Sequence, residues 1–364
     1  MRIAILTFHR AYNCGAMLQA WALKTVLERM GHHVEFPDLN EVGYERSYWL
    51  VQNIPAGRRG LSWIRAFVGR LLLDLTRGRK VGPASARAYE RFRRRLHCKS
   101  IGLEELQDRY DLVVVGSDQV FNPVIAGNWT ELFLCEKMPL ALKRISYAAS
   151  CGDRPLEMVD RERLKNALKN FSEVSFRERF GDYKVVLDPT LLLSEGDYSS
   201  IGLKQPRLCP DEYVFMYTIF GTEYELSVAR MVAKSKRLPL VVMSAHSRPL
   251  AAGELAIRQD PDKLVALVRH AKYVLAGSFH GTALAVIFRK KFISIREDPN
   301  EEWSRPSEFL SQIGMLDRLV NPSRREDAVL NALEAEFDPA AASRLDRLRC
   351  DSLEWLSNAV KKAV

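Results

Sequence analysis

The sequence lacks the marks of several protein classes. Its 364 residues include only six cysteines, Cys14, Cys98, Cys135, Cys151, Cys209 and Cys350, with no Cys-x-x-Cys pair. That spacing offers neither a structural zinc site nor the disulfide framework of a small secreted domain. Apolar runs are short. The longest, Leu61 to Leu75, is broken by Arg65, Arg70 and Asp74, so no membrane span is expected. The four apolar residues Ile3 to Leu6 that follow Met1 and Arg2 are too few for a secretory signal. With 20 glycines, 16 prolines and 47% hydrophobic residues, the chain is neither collagen-like nor disordered. No Gly-x-Gly-x-x-Gly fingerprint occurs. The expectation is a cytoplasmic chain with reduced thiols and enough residues for one large or two medium domains.

Positive charge is present, but unevenly. Lys and Arg number 54 against 45 Asp and Glu, a net charge of +9. Between Arg58 and Lys99 there are 13 basic residues and two acids, Asp74 and Glu90, which makes this window +11 and the remainder −2. One segment therefore sets the basic balance. Its mixture of Arg with Trp63, Phe67 and leucines suits an interfacial helix near anionic lipid. It suits equally a basic helical insertion packed on its own domain. A nucleic-acid groove, with aromatics interleaved among basic residues, is not expected, since the window has only Trp63, Phe67, Tyr89 and Phe92.

Strand and helix periodicities alternate along the chain. Residues 2 to 8 read as a buried strand, His9 to Gly15 as a loop, Met17 to about Met30 as a helix, and His33 to Phe36 as a parallel strand. Asp111 to Val115, Ile145 to Ala148, Val174 to Phe176 and Lys184 to Leu187 are further strands, with a helix over 160–170. Gly196 to Asp211 is a candidate linker. Strands follow at Tyr213 to Ile219, Leu238 to Ser244, Tyr273 to Ala276 and Phe292 to Ile295, with helices at 223–235, 262–270 and 282–288. Two helices close the chain. The pattern predicts two doubly wound, Rossmann-like α/β domains. The first covers 1–195, with a basic insertion at about 45–100. The second covers 205–325, and the terminal helices cover 326–364.

Ligands of open parallel sheets bind at the carboxyl ends of strands. Four segments stand there. His9, Asn13, Gly15 and Gln19 surround the first helix start, where backbone N–H groups either favour an anion or are simply capped. Ser117 and Asp118 follow a β-branched strand; Asp118 is a helix cap, or an acid, base or sugar-hydroxyl ligand. Arg177 suits a carboxylate or phosphate, or else pairs with Glu178 or makes a domain contact. Ser278, His280, Gly281 and Thr282 join a buried strand to a helix, and His280 can carry a proton near neutral pH. His246 follows another strand end. No His, Asp and Glu spacing suggests a metal, and none is expected.

These segments resemble the polysaccharide pyruvyl transferase family. The resemblance rests on Thr7-Phe8-His9, Asn13-Cys14-Gly15-Ala16, Leu18-Gln19-Ala20 and Val115-Gly116-Ser117-Asp118-Gln119-Val120. It continues in Ser175-Phe176-Arg177-Glu178, Asp188-Pro189-Thr190-Leu191-Leu192 and Ser278-Phe279-His280-Gly281-Thr282. It implies two Rossmann-like domains facing a cleft, as in GT-B glycosyltransferases. It also implies transfer of a pyruvyl group from phosphoenolpyruvate to a sugar, with no other cofactor. In such members, residues matching Arg177 and His280 handle the donor. Where the family often has Arg-Leu-His-Gly, this chain has Ser-Phe-His-Gly, one guanidinium fewer; Arg248, Arg296 and Arg305 are candidates to replace it.

The resulting expectation assigns His280 as general acid or phosphate contact and Asp118 to the acceptor hydroxyl. Arg177, Ser278, Gly281 and Thr282 bind the donor, and His9, Asn13, Gly15, Gln19 and Ser117 orient a substrate. The acceptor is a cell-surface polysaccharide (an exopolysaccharide) or its lipid-linked precursor, with peripheral membrane contact through 58–99. A GT-B nucleotide-sugar glycosyltransferase and a non-catalytic glycan-binding protein are the competing expectations.

Overall fold

The computed structural model describes residues 1–39, 83–152, 156–202, 209–244, 251, 253–297 and 305–363. The 45–82 part of the basic insertion, residues 203–208 of the linker, His246 and Arg248 lie outside them.

Two parallel sheets organise the chain. The first contains β1 (Arg2–Leu6), β2 (His33–Leu39), β3 (Cys98–Ile101), β4 (Leu112–Val115), β5 (Arg144–Ala149), β6 (Glu173–Phe176) and β7 (Lys184–Val185). Their order is β3-β2-β1-β4-β5-β6-β7. The second contains β8 (Val214–Thr218), β9 (Leu240–Ser244), β10 (Leu255–Ala256), β11 (Tyr273–Gly277), β12 (Lys291–Ile295) and β13 (Leu319–Val320), in the order β10-β9-β8-β11-β12-β13. Each sheet runs outward from its first strand and then reverses direction. That is doubly wound, Rossmann-like topology, with the switch point beside the first strand. The fold class is the one the alternation predicts.

The helices form where composition and capping agree. α1 (Cys14–Arg29) starts at Asn13, whose side chain accepts from the amides of Gly15 and Ala16. α2 (Pro83–Arg93) precedes β3, and α3 (Met158–Leu168) precedes β6. α4 (Pro189–Leu192) is capped by Asp188. In the second lobe α5 (Glu223–Lys236) opens with a Thr222–Glu225 capping box, and α6 (Pro261–His270) with Asp260. α7 (Phe279–Ile287) follows β11, and α8 (Arg305–Ile313) precedes β13. α9 (Glu326–Glu334) and α10 (Pro339–Lys362) end the chain.

Side-chain alternation along the strands divides the core into three layers. Ala4, Leu6, Val113 and Val115 face one outer cluster of the first lobe. Val214 and Met216 face the outer cluster of the second. The opposite faces, Ile3, Ile5, Leu112 and Val114 from the first sheet and Phe215 and Tyr217 from the second, share one central cluster with α1, α6 and α7. The two lobes are therefore joined by a common apolar layer. α1 lies within it and is buried on nearly every side.

α10 returns to the first lobe. Ser352 Oγ accepts from the Leu187 amide at 3.0 Å, and Arg349 Nε donates to the Leu191 carbonyl at 2.9 Å. The Trp355 and Tyr147 rings lie 6.1 Å apart. Part of the expected linker is structured: Glu195–Ser200 forms a 3-10 helix, and Arg269 Nη2 donates to the carbonyl of buried Tyr198 at 2.9 Å.

Several elements differ from expectation. The helix read as starting at 282 begins at Phe279, because Ser278 caps it and Gly281 is tolerated within the first turn. β3, β10 and β13 carry no strong periodic signal, being short edge pieces; α8 was not expected although Pro306, Phe309, Leu310 and Ile313 recur at helical spacing. At the described end of the basic segment Arg87, Arg91, Arg94 and Lys99 are exposed, as a solvated helical insertion would have them, but three arginines also make ion pairs. Arg91 pairs with Asp260 at 2.9 Å and Arg95 with Asp262 at 3.1 Å, both across the lobe boundary. Arg93 pairs with Glu90 and donates to the His9 and Arg10 carbonyls. Among the described residues no helix is long and apolar enough to cross a membrane.

Leu356 of α10 is fully buried in the shared core. Leu356→Ala is expected to lower stability by about 2–5 kcal/mol, read as a lower urea midpoint with an unchanged slope. A shift below about 0.5 kcal/mol would contradict the packing described for α10.

Candidate active site at the lobe boundary

The carboxyl ends of β4, β6 and β7 converge with that of β11. After β4, Gly116 has φ +121° and no room for a side chain: a Cβ there would lie 2.3 Å from the Tyr147 carbonyl oxygen. Ser117, next in the chain, is fully buried. Its Oγ donates to the Ala148 carbonyl at 2.8 Å and lies 3.2 Å from Asp188 Oδ2. Asp118 follows, and its Oδ1 accepts from the Gln119 amide at 2.9 Å.

Arg177 leaves β6 and enters this cluster. Its Nη1 donates to Asp188 Oδ2 at 2.7 Å, and its Nη2 lies 3.5 Å from Asp118 Oδ1. Its guanidinium lies 4.8 Å from the ring centroid of Phe279, which comes from the other lobe. Burial opposes the Arg177 charge, but Asp188, Asp118 and Glu178 outweigh it and raise its pKa. Burial likewise would raise Asp188. His280, Arg177 and the Thr190 hydroxyl reverse that and hold its carboxyl far below the usual range. Arg177 pairs with Asp188, not with its neighbour Glu178, whose Oε1 accepts from the Cys151 amide at 2.6 Å. Burial pushes the Glu178 carboxyl up, against Arg177 and Arg305.

His280 arrives from the second lobe in the first turn of α7. Its Nε2 lies 3.7 Å from Asp188 Oδ2, too long for a hydrogen bond. On its other side the ring abuts α1: a Cβ on Gly15 would meet Nδ1 at 2.1 Å. Gly15 thus permits the close approach. Three buried polar atoms in this region, His280 Nε2, Arg177 Nε and Glu178 Oε2, have no hydrogen-bond partner. Such atoms are uncommon in a finished core, and a ligand that both donates and accepts would satisfy them.

The other expected residues have supporting positions. Asn13 caps α1. Gln19 donates to Thr7 Oγ1 at 2.8 Å and accepts from the Ser117 amide at 3.2 Å. Ser278 Oγ accepts from the Gly281 amide at 3.1 Å, so that amide is already engaged. Thr282 Oγ1 reaches the Ser278 carbonyl and Ser294 Oγ, and Thr282 is buried. His9 lies apart from these contacts, with Nε2 2.8 Å from Asp38 Oδ1. His9, Asp38 and Cys98 are close enough together to bind a metal. However, the Arg10 guanidinium also pairs with Asp38, and its charge opposes a cation there. His9 and Arg10 lower the Asp38 carboxyl to about 2 against the effect of burial.

A model of the polysaccharide pyruvyl transferase family matches residues 13–299. The chain belongs to the polysaccharide pyruvyl transferase family. It is therefore a member of an enzyme family, and the cluster described above lies within the matched span apart from Arg305. No curated protein matches it in sequence. Solved structures similar to this pyruvyl transferase family member include the UDP-GlcNAc 2-epimerase from Methanocaldococcus jannaschii, at 11% identity, TM-score 0.48 and 93% coverage of both chains. The spinosyn forosaminyltransferase SpnP is 12% identical with TM-score 0.45, covering 97% of this chain and 95% of that one. The calicheamicin glycosyltransferase CalG4 is 14% identical with TM-score 0.45, covering 100% and 98%.

Sequence reasoning assigned no role to Asp188, which lies between Arg177 and His280 and also caps α4. Its Asp-Pro step at a helix start was the available signal.

Two substitutions test the cluster. Gly15→Ala places a methyl against His280 and is expected to cost about 1–3 kcal/mol and to reduce turnover; wild-type turnover would mean that the ring is not fixed there. Asp188→Ala leaves Arg177 buried without its partner and is expected to cost about 3–5 kcal/mol. Because the folded Asp188 and Asp38 carboxyls sit below their unfolded values, their stabilisation is complete above about pH 4. It is lost as the pH falls below that. Acid titration of the unfolding free energy should be shallower for Asp188→Ala; an equal slope would contradict the pairing.

Proposed function

We propose that this enzyme transfers the pyruvyl group of phosphoenolpyruvate to a sugar of a cell-surface polysaccharide or its lipid-linked precursor. The product is a pyruvate ketal, and phosphate is released. The observation that carries this reading is His280, a proton carrier from one lobe. It is set against Asp188 and Gly15 of the other, in a cluster where Arg177 and His280 each keep an unpartnered nitrogen. A small dianion with a proton-accepting carbon suits such a site.

The chemistry needs one proton donor and one proton acceptor. His280 gives its proton to the methylene carbon of the enol, leaving an oxocarbenium-like centre at the adjacent carbon. An acceptor hydroxyl adds to that centre, and Asp118 takes its proton. The bond from carbon to the phosphate oxygen then breaks, and the second hydroxyl closes the ketal. The second hydroxyl's proton restores His280, and phosphate carries away the proton held by Asp118, so neither side chain is consumed. Asp188 offers a counter-charge to a protonated His280 ring.

The nucleotide-sugar alternative is less well served. A diphosphate would seek open helix starts in the second lobe. α5 is closed by Thr222 and Glu225, with Glu223 beside them, and α6 by Asp260, with Asp262 beside it. These acids would repel it, and at α7, which has no acid in its first turn, the Gly281 amide is already engaged by Ser278.

Purified protein mixed with phosphoenolpyruvate and candidate glycans should release phosphate. His280→Ala should slow release by about a hundredfold or more, and Arg177→Ala should also lose turnover. Unchanged turnover in both variants would remove the site assignment. Absence of any pyruvylated product, with stabilisation by nucleotide sugars and not by phosphoenolpyruvate in a melting experiment, would replace the proposed donor.

A further inference from the structure

A second group of buried polar atoms without partners lies beside the reactive cluster, and its members are uncharged. Tyr217 stands at the carboxyl end of β8, Gln259 just past that of β10, and His280 just past that of β11. All three therefore line the carboxyl edge of the second sheet. β8 and β11 flank its switch point, the place where open parallel sheets bind ligands. The Tyr217 ring packs on the first turn of α7: a Cβ on Gly281 would lie 3.0 Å from Tyr217 Cδ1. From the first lobe, Cys14 of α1 and Tyr89 of α2 meet the same edge.

The hydrogen bonds decide which atoms stay open. Tyr89 Oη donates to Gln259 Oε1 at 2.7 Å and lies 3.2 Å from Cys14 Sγ. The Gln259 carbonyl is thereby engaged, but Gln259 Nε2 has no partner, and neither has Tyr217 Oη. Tyr217 is 1% exposed and Gln259 8%. Open polar atoms at that depth are costly unless a ligand takes them. Burial, the Cys14 thiol and the Asp118 carboxylate hold the Tyr217 hydroxyl well above its usual pKa, so it stays a neutral donor and acceptor. The Asp260 carboxylate, next to Gln259, caps α6 and pairs with Arg91. An anion would face the Asp118 and Asp260 carboxylates here. A sugar hydroxyl, which donates and accepts without charge, fits both open atoms.

We propose that Tyr217 and Gln259 form a subsite for a neutral, hydroxyl-bearing ligand, the acceptor sugar, next to His280. The inference rests on the sugar-acceptor reading above and adds the residues that hold the sugar and its class: an uncharged ring is preferred to a uronic acid. Charged and neutral halves of the boundary then divide the work, with the donor on Arg177 and His280 and the sugar on Tyr217 and Gln259. Arg91 and Arg95 bridge the lobes at this edge with side chains 58% and 36% exposed, so water reaches the boundary there and the sugar enters along it.

Tyr217→Phe and Gln259→Leu test this. Tyr217→Phe removes an open hydroxyl and no existing hydrogen bond, so it should fold with unchanged or higher stability. The probes are the methyl glycosides of glucose, galactose, mannose and N-acetylglucosamine, with methyl glucuronide as the charged control. Binding is titrated by saturation-transfer NMR with and without phosphoenolpyruvate. At least one neutral glycoside should bind the wild-type protein, more tightly than the glucuronide does. Each variant should weaken that binding by about three- to tenfold while phosphoenolpyruvate affinity stays within about twofold. Wild-type sugar affinity in Tyr217→Phe overturns the proposal, as does a wild-type protein that binds none of the neutral glycosides or prefers the glucuronide. Gln259→Leu strands the Tyr89 hydroxyl; should it fold poorly by circular dichroism, Tyr217→Phe decides alone. Sugar binding that depends on Tyr217, without any binding of phosphoenolpyruvate, would remove the donor reading and leave the subsite standing. Phosphoenolpyruvate binding with sugar affinity unaltered in Tyr217→Phe would do the reverse.

Discussion

The Arg177–Asp188 ion pair is the constraint on which the rest of the site depends. Both groups are buried, and removing either would leave the other's charge buried without its closest partner. Their pairing explains the neighbours. Thr190 donates its hydroxyl to Asp188, Ser117 Oγ lies 3.2 Å from the same carboxylate, and Asp118 lies on the second terminal nitrogen of Arg177. His280 reaches the same carboxylate from the other lobe. A single buried carboxylate thus sets the positions of a guanidinium, an imidazole and two hydroxyls. It also caps α4, so the charge cluster is tied to a helix start.

The lobe boundary combines a shared apolar core with a buried polar cluster. The inner faces of the two sheets share one apolar layer that buries α1 between them. Around it lies a polar set of lobe-to-lobe contacts: Tyr89 Oη donates to Gln259 Oε1 at 2.7 Å, Arg91 pairs with Asp260, and Arg95 pairs with Asp262. These contacts assign part of the positive charge to holding the lobes together. The arginines of α2 and the turn after it face acids at the start of α6. Arg93 holds the loop that leads to Gly15 and so to His280. The local +11 charge of the sequence is, in its described part, partly an internal strut.

The positions of the elements were largely legible. Parallel strands buried on both faces read as short apolar runs, and α1, α5 and α6 announce themselves by caps and by periodicity. Edge strands β3, β10 and β13 were not legible, because two to four residues on a sheet margin need no apolar pattern. The start of α7 was misplaced because Gly281 reads as a loop residue, although Ser278 closes the turn around it. For the site, strand-end position singled out Arg177, Asp118 and His280. It did not separate residues that face one another from those that support them, such as Gln19, Thr282 and Asn13. It placed His9 with the cluster, whereas its partner is Asp38.

The sequence by itself determined that this is a two-sheet α/β chain, that polar residues stand at its strand ends, and that its motifs are those of the polysaccharide pyruvyl transferase family. These are local properties: periodicity, capping and short motifs are written in neighbouring residues. Tertiary structure alone decided which strand ends meet. Asp188 joined the cluster because the fold sets it beside Arg177 of its own lobe and His280 of the other. Pairing between buried charges depends on distance in space, and no local pattern encodes that distance.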